Sequence, residues 1–161
     1  GPHYQGDVMD IINNGWDMMI AFPPCTHLCS SGARWFKHKM KEQQAGIGFA
    51  LELMAAPISF ISMENPVGVL STYYRRPDQI IQPWMFGHTE QKATCLWLKN
   101  LPKLTETNNV KAEMMLLPKR ERETALLTTK PDTMERAQPH LPGNSGIMGC
   151  AMGRPCHITL Q

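Results

Sequence analysis

The 161-residue sequence has no apolar run approaching the ~20 residues that a membrane-spanning helix needs. No secretory leader is visible. Charge of one sign is missing too: 16 Lys and Arg stand against 14 Asp and Glu, and the net +2 neither demands nor excludes a nucleic-acid partner. No G-x-G-x-x-G-like turn falls between a strand pattern and a helix pattern, so no glycine-rich phosphate cradle can be read from the chain. The glycines from Gly143 to Gly153 have no strand before them. An even cysteine count is also absent. Five cysteines (Cys25, Cys29, Cys95, Cys150 and Cys156) without a leader argue against a disulfide scaffold and fit a reducing cytoplasm. The chain begins Gly1-Pro2 rather than with Met, which reads as a fragment or as a protease scar. The apolar share of 42% and charged share of 19% are ordinary for a globular protein, and the length suits one domain with a sizeable core. Twelve methionines read as adaptable core filling.

The most informative stretch runs from Trp16 to Phe36. Met18 to Phe22 is a short apolar run stopped by Pro23-Pro24, which predicts a buried strand. Cys25 follows directly. Proline fixes φ and removes a donor, so the thiol is expected at the tip of a stiff loop beyond the strand's C-terminal end. In open α/β sheets that edge is where ligands bind. Thr26, Ser30, Ser31 and Gly32 suit a loop that closes around something. A second apolar run, Ile58 to Met63, ends in Glu64-Asn65-Pro66. Between the two runs, Glu42 to Ala56 predicts a helix with an apolar stripe of Ile47, Leu51 and Met54, supported by Ala50 and Ala55. Gly46 and Gly48 weaken that helix but permit close packing on a sheet. Strand, helix and strand form a crossover unit that brings Cys25 and Glu64 to one sheet edge. A thiol and a carboxylate there make a nucleophile and acid pair.

Elsewhere, Gly6-Asp7-Val8 predicts a turn in which Asp7 either caps a helical segment or meets a ligand. Lys37-His38-Lys39-Met40-Lys41 is basic and fits either a phosphate contact or a solvated helix start. Residues 67–87 predict a long irregular connection. Its Tyr73, Tyr74, Arg75, Arg76 and Trp84 suit either an extruded base and a nucleic-acid backbone or a loop anchored by its own aromatics. Thr94 to Leu98 predicts a further strand. From 110 to 161 the expectation is an irregular tail, either disordered or translated from a displaced reading frame.

F-P-P-C-T, S-S-G and, about forty residues on, E-N-P resemble the catalytic motifs of cytosine-C5 DNA methyltransferases. The ordered set G-P-H-Y-Q-G-D-V, P-P-C-T-H-L, S-G-A-R-W-F, E-N-P-V-G-V, P-D-Q-I-I-Q-P-W and T-C-L-W-L-K-N-L-P is similar to short methylase-like proteins of bacteriophages. The resemblance covers about residues 1 to 109, taken as a partial catalytic core. It implies a truncated Rossmann-like α/β fold with a mostly parallel sheet and flanking helices. It also implies S-adenosylmethionine as cofactor, DNA as partner, no membrane, and a place in the cytoplasm of a bacterial host cell, encoded by a phage or prophage. By the same resemblance Cys25 is the nucleophile, with Glu64 and Asn65 beside it as catalytic residues. Asp7, Phe22 and Pro23 face the cofactor, and Ser31, Arg34, Arg75, Arg76 and Lys92 face DNA. No metal is implied. The family's cofactor turn is missing here, and its arginine-bearing motif near Gln91-Lys92 is not intact. Three rival readings stand beside this one: an inactive nucleic-acid-binding module of the same fold, a zinc site built from Cys25, His27, Cys29, Cys150, Cys156 and His157, and a Cys25 that is only a small buried side chain.

Overall fold

A computed structural model describes residues 4–30, 39–123, 146–147 and 157–160. The first strand, β1, spans Met18–Phe22, as the apolar run predicts. Its side chains alternate: Met19 and Ala21 are buried, Met18 and Ile20 half-buried, and Phe22 exposed. Helix α1 spans Met40–Ala55 and buries Gln43, Ile47, Ala50, Leu53 and Met54 on one face. The predicted stripe is corrected at two positions. Leu53 is fully buried where Leu51 is only partly so, and Ala55 is exposed.

Strand β2 spans Phe60–Pro66: it begins two residues after the start of the Ile58–Met63 apolar run and ends three residues beyond it. It runs parallel to β1, with Met19 opposite Ile61 and Ala21 opposite Met63. These four side chains are fully buried and share a core with Val8, Ile12, Leu28, Ala50, Leu53, Ile58 and Trp97. Each large apolar side chain so placed contributes roughly 1.5–3 kcal/mol by leaving water.

Residues 67–87 are not irregular. They carry helix α2 (Leu70–Tyr73), strand β3 (Gln79–Ile81) and a 3₁₀ turn at Pro83–Met85. Elements of three or four residues are too short to show a hydrophobic period, which is why the sequence hides them. Strand β4 is Thr94–Lys99, and its Trp97 is fully buried with the indole N–H on the Arg75 carbonyl at 2.8 Å.

Regular structure continues past residue 110, contrary to the expected irregular tail. Helices α3 (Lys111–Leu116) and α4 (Lys119–Arg122) follow, then strands β5 (Gly146–Ile147) and β6 (His157–Leu160). The remainder of that tail lies outside the described residues. The sheet order is β3-β4-β2-β1-β6-β5. The expectation of a mostly parallel sheet is corrected: the sheet is mixed. β6 pairs antiparallel with β1, Ala21 opposite Ile158, and β5 pairs antiparallel with β6. An antiparallel neighbour needs no crossover helix, so a short returning segment can take that place.

The chain divides into two compact units. The first comprises Gly1–Gln79, Cys95–Lys103 and Asn144–Gln161, and holds β1, α1, β2 and α2. The second comprises Ile80–Thr94 and Leu104–Gly143. Within it the Pro83–Met85 turn is tied to the start of α3: Val110 N–H donates to the Trp84 carbonyl at 2.8 Å, and the Lys111 ammonium lies 5.0 Å from the Trp84 ring centroid. No described helix is long and apolar enough to cross a membrane.

Candidate active site

The Cys25 loop is short and held from three sides. Pro23 is buried, and Cys25 is half-buried. The Cys25 carbonyl accepts from both Leu28 N–H and Cys29 N–H at 3.0 Å, closing one tight turn. From α1, the Gln43 carboxamide, itself buried, donates to the His27 carbonyl at 3.1 Å. Gly46, one turn on, lets the helix approach Leu28: a Cβ there would stand 3.3 Å from a Leu28 methyl. Gly46 therefore serves packing on the loop rather than on the sheet, and Gly48 faces open space.

The third tie comes from β2 and the residues after it. Asn65 is 1% exposed and its carboxamide N–H donates to the Pro23 carbonyl at 3.0 Å. Beyond the strand, Ser30 N–H donates to the Val67 carbonyl at 3.0 Å, and Val69 N–H donates to the Leu28 carbonyl at 2.9 Å. The Ser30 hydroxyl adds a second bond to Val67 at 3.0 Å. Gly68 sits in this seam, bridged to Cys29, and any Cβ there would overlap the Leu28 carbonyl. Only glycine allows two backbones to meet so closely.

Cys25 and Glu64 therefore stand at the same edge of two adjacent parallel strands, as the crossover argument expects. Glu64 lies within β2 rather than beyond its tip, half-buried, on the opposite face from Met63 and Asn65. The β1–β2 register, carried one residue further, sets Glu64 beside Phe22, which is 41% exposed. Across the sheet in β4, Cys95 is buried. Burial pushes its thiol pKa up, and the charge of Glu64 pushes it further. Cys95 is thus held as a neutral thiol. No disulfide joins Cys25, Cys29 and Cys95, and the described residues contain no group of three His, Cys, Asp or Glu arranged to hold a metal ion. Cys150 and Cys156 lie outside the described residues.

The other candidates divide. The Asp7 carboxylate accepts from Met9 N–H at 3.0 Å and caps the 3₁₀ turn Val8–Asp10. Arg75 is engaged within its own unit: its guanidinium meets Asp78 at 2.7 Å and the Leu98 carbonyl at 3.0 Å, and it lies 5.2 Å from the Tyr74 ring centroid. Asp78 also accepts from Leu98 N–H at 2.7 Å. Burial alone would raise the Asp78 pKa. The Leu98 hydrogen bond and the Arg75 charge outweigh it and hold the carboxyl below its usual range. Arg76 is exposed. In the second unit Lys92 is exposed, and its backbone N–H donates to the Gln82 side chain at 2.9 Å. Ser31 and Arg34 lie outside the described residues.

Three positioning residues escape a sequence reading: Gln43, Gly46 as a loop contact, and Gly68. An isolated glycine just after a strand pattern does signal a close backbone approach, so Gly68 left a trace. Gln43 left none. The chain matches no protein-family model, and no curated protein or solved structure is significantly similar to it.

Proposed function

We propose that the chain carries the nucleophile of a Rossmann-like cytosine-C5 DNA methyltransferase of bacteriophage type, acting in the bacterial cytoplasm. The motif order supports this reading. The single observation that carries it is the Asn65–Pro23 hydrogen bond, which fastens the E-N-P strand end to the P-P-C loop. Tied in this way, the two segments keep a nucleophile and an acid at one edge in fixed relation.

The chemistry assigned to these residues is an addition to a pyrimidine ring. The target cytosine leaves the duplex stack, because its faces are inaccessible inside it. The Cys25 thiolate adds to C6, and the C5–C6 π electrons move to C5. Glu64, as the carboxylic acid, donates its proton at N3 and neutralises the charge that the addition drives into the ring. C5 is then an enamine carbon, ready for an electrophile. Once C5 has taken the electrophile, removal of the C5 proton, expulsion of Cys25 and return of the N3 proton to Glu64 restore the aromatic ring and the acid. Asn65 acts by position. Arg76 and Lys92, each exposed within its own unit, are proposed to meet phosphate, and Ser31 and Arg34 are proposed to do so from the motif resemblance.

S-adenosylmethionine is the proposed methyl donor. The described residues do not compose a cradle for it. The Asp7 carboxylate caps the Val8–Asp10 turn through Met9 N–H, the Pro23 carbonyl accepts from Asn65, and no glycine-rich turn joins a described strand to a helix. No step is assigned through the cofactor. The same observation favours a second reading, a catalytically inactive nucleic-acid-binding module of this fold.

Hydrogen exchange separates the two without any cofactor. In heavy water, addition of Cys25, deuteration at C5, loss of the original proton and expulsion of Cys25 replace hydrogen by deuterium at cytosine C5. The enzyme reading predicts exchange that Cys25→Ala abolishes. DNA binding without exchange would sustain the binding module instead.

A further inference from the structure

Strand β6 enters the sheet at the edge where the Cys25 loop leaves it. Because β6 runs antiparallel to β1, its first residue, His157, stands opposite Phe22, the last residue of β1. Residues directly paired across strands lie on one face of the sheet. On the other side of β1, the parallel register carried one residue beyond Ala21 and Met63 sets Glu64 beside Phe22. Three adjacent strands therefore place Glu64, Phe22 and His157 in one row on one face, and Cys25 follows Phe22 by three residues. The pattern of β6 agrees with this register. Ile158 and Leu160 stand opposite Ala21 and Met19, which are buried in the core, while the polar His157 and Thr159 stand opposite Phe22 and Ile20. A slip of one residue would exchange the two sets. Neighbouring strands lie about 4.8 Å apart, so the backbones at Glu64 and His157 are roughly 10 Å apart across Phe22. Phe22 itself is 41% exposed. A single pyrimidine ring fits that span. With N3 turned to Glu64, its C5–C6 bond lies on the far side of the ring.

We propose that His157 is a further catalytic residue, the base that takes the C5 proton. The assignment rests on the reading of Cys25 as nucleophile, and it fills a role that reading leaves open. Cys25 bonds to C6 and Glu64 serves N3, so neither is available to C5. On the other side of β6, β5 brings only Gly146 and Ile147, which carry no titratable side chain. Histidine is the side chain whose ordinary pKa lies closest to neutrality, which suits it to accept a proton and release it again. Once the Cys25 thiolate has added to C6 and C5 has taken an electrophile, His157 in its neutral form accepts the C5 proton. The C–H electron pair becomes the C5–C6 π bond. The C6–S bond breaks with its electrons going to sulfur, and the imidazolium passes its proton to water. A positioned base of this kind is typically worth roughly 10²–10⁴-fold in rate.

Deuterium exchange at cytosine C5 in heavy water reads this step without a cofactor, because a deuteron from solvent is the electrophile. The full chain is compared with Cys25→Ala, His157→Ala and His157→Gln on the same DNA. Exchange is expected to fall about 100-fold or more in both His157 variants. Added imidazole is expected to restore much of it to His157→Ala, a rescue that a purely structural role would not give. The rate at which iodoacetamide alkylates Cys25 is expected to stay at the wild-type value, since His157 is assigned to C5 and not to the thiol. Wild-type exchange in either His157 variant would overturn the assignment. So would a loss that imidazole leaves unrestored, or one matched by slower alkylation of Cys25. Exchange that needs Cys25 and not His157 would remove the base alone. No exchange in the wild type, or exchange that survives Cys25→Ala, would remove the nucleophile reading and His157 with it.

Discussion

Asn65→Ala is the substitution that presses hardest on the seam between the two motifs. Asn65 is 1% exposed and donates to the carbonyl of a buried proline at 3.0 Å. Removing the carboxamide loses a hydrogen bond worth about 1 kcal/mol and leaves the Pro23 carbonyl without it, at a further cost of roughly 1–3 kcal/mol. The expected loss is therefore about 2–4 kcal/mol, from a total that for such domains is roughly 5–15 kcal/mol. The protein should remain folded, with a lower urea midpoint and an unchanged slope. Asn65→Asp refines the test because it keeps the shape and replaces the donor with an acceptor. A buried carboxylate facing a carbonyl has its pKa raised in the folded state. A raised folded pKa gives stability that is present below the unfolded value of about 3.9 and lost as pH rises through the folded one. Asn65→Asp should thus fall well short of the wild type at neutral pH and regain ground in acid. Urea titrations of the three proteins at two pH values measure both effects. A loss under about 0.5 kcal/mol for Asn65→Ala, within the range of ordinary surface changes, would refute the reasoning.

Other perturbations have equally definite outcomes. Gly68→Ala sets a methyl group against the Leu28 carbonyl, so the seam must part; a loss of roughly 1–3 kcal/mol or more is expected in urea unfolding, and a neutral result would mean the backbones do not meet. Asp78 has a depressed folded pKa, so its contribution is present above the usual carboxylate range and lost as pH falls through the folded value; Asp78→Asn should flatten that acid limb in unfolding measured from pH 7 downward. Timed alkylation of the native protein with iodoacetamide should modify Cys25 and Cys29 well before Cys95, whose burial and raised pKa suppress its thiolate; equal rates would contradict the placement of Cys95.

The legible parts of this chain were those with a local cause. Met18 to Phe22 is apolar and stopped by two prolines, and β1 has those limits. Ile47, Ala50 and Met54 recur at helical spacing, and α1 buries them. Glu64-Asn65-Pro66 reads locally as a strand's end, yet β2 continues through it, because Asn65 finds its partner 42 residues away in Pro23. No periodicity carries that information. The same holds for β6, four residues that take an antiparallel place beside β1 from the far end of the chain. Arginines and tyrosines at 73–76 suit either a surface for bases or a loop anchored by its own aromatics, and the engagement of Arg75 by Asp78 and Leu98 depends on β4. Asp7 offered two roles from sequence, and its carboxylate is found capping a turn.

The central claim is that Cys25 adds covalently to a cytosine ring. Duplex DNA carrying 5-fluorocytosine, with S-adenosylmethionine present, tests it most directly. Fluorine cannot leave C5 as a proton does, so a reaction that begins with thiolate addition stalls as a protein–DNA adduct. The account predicts an adduct stable to denaturing electrophoresis, mapped by mass spectrometry to the tryptic peptide that ends at Arg34, the first Lys or Arg of the sequence, and lost in Cys25→Ala. No adduct, or one that persists in Cys25→Ala, would contradict it.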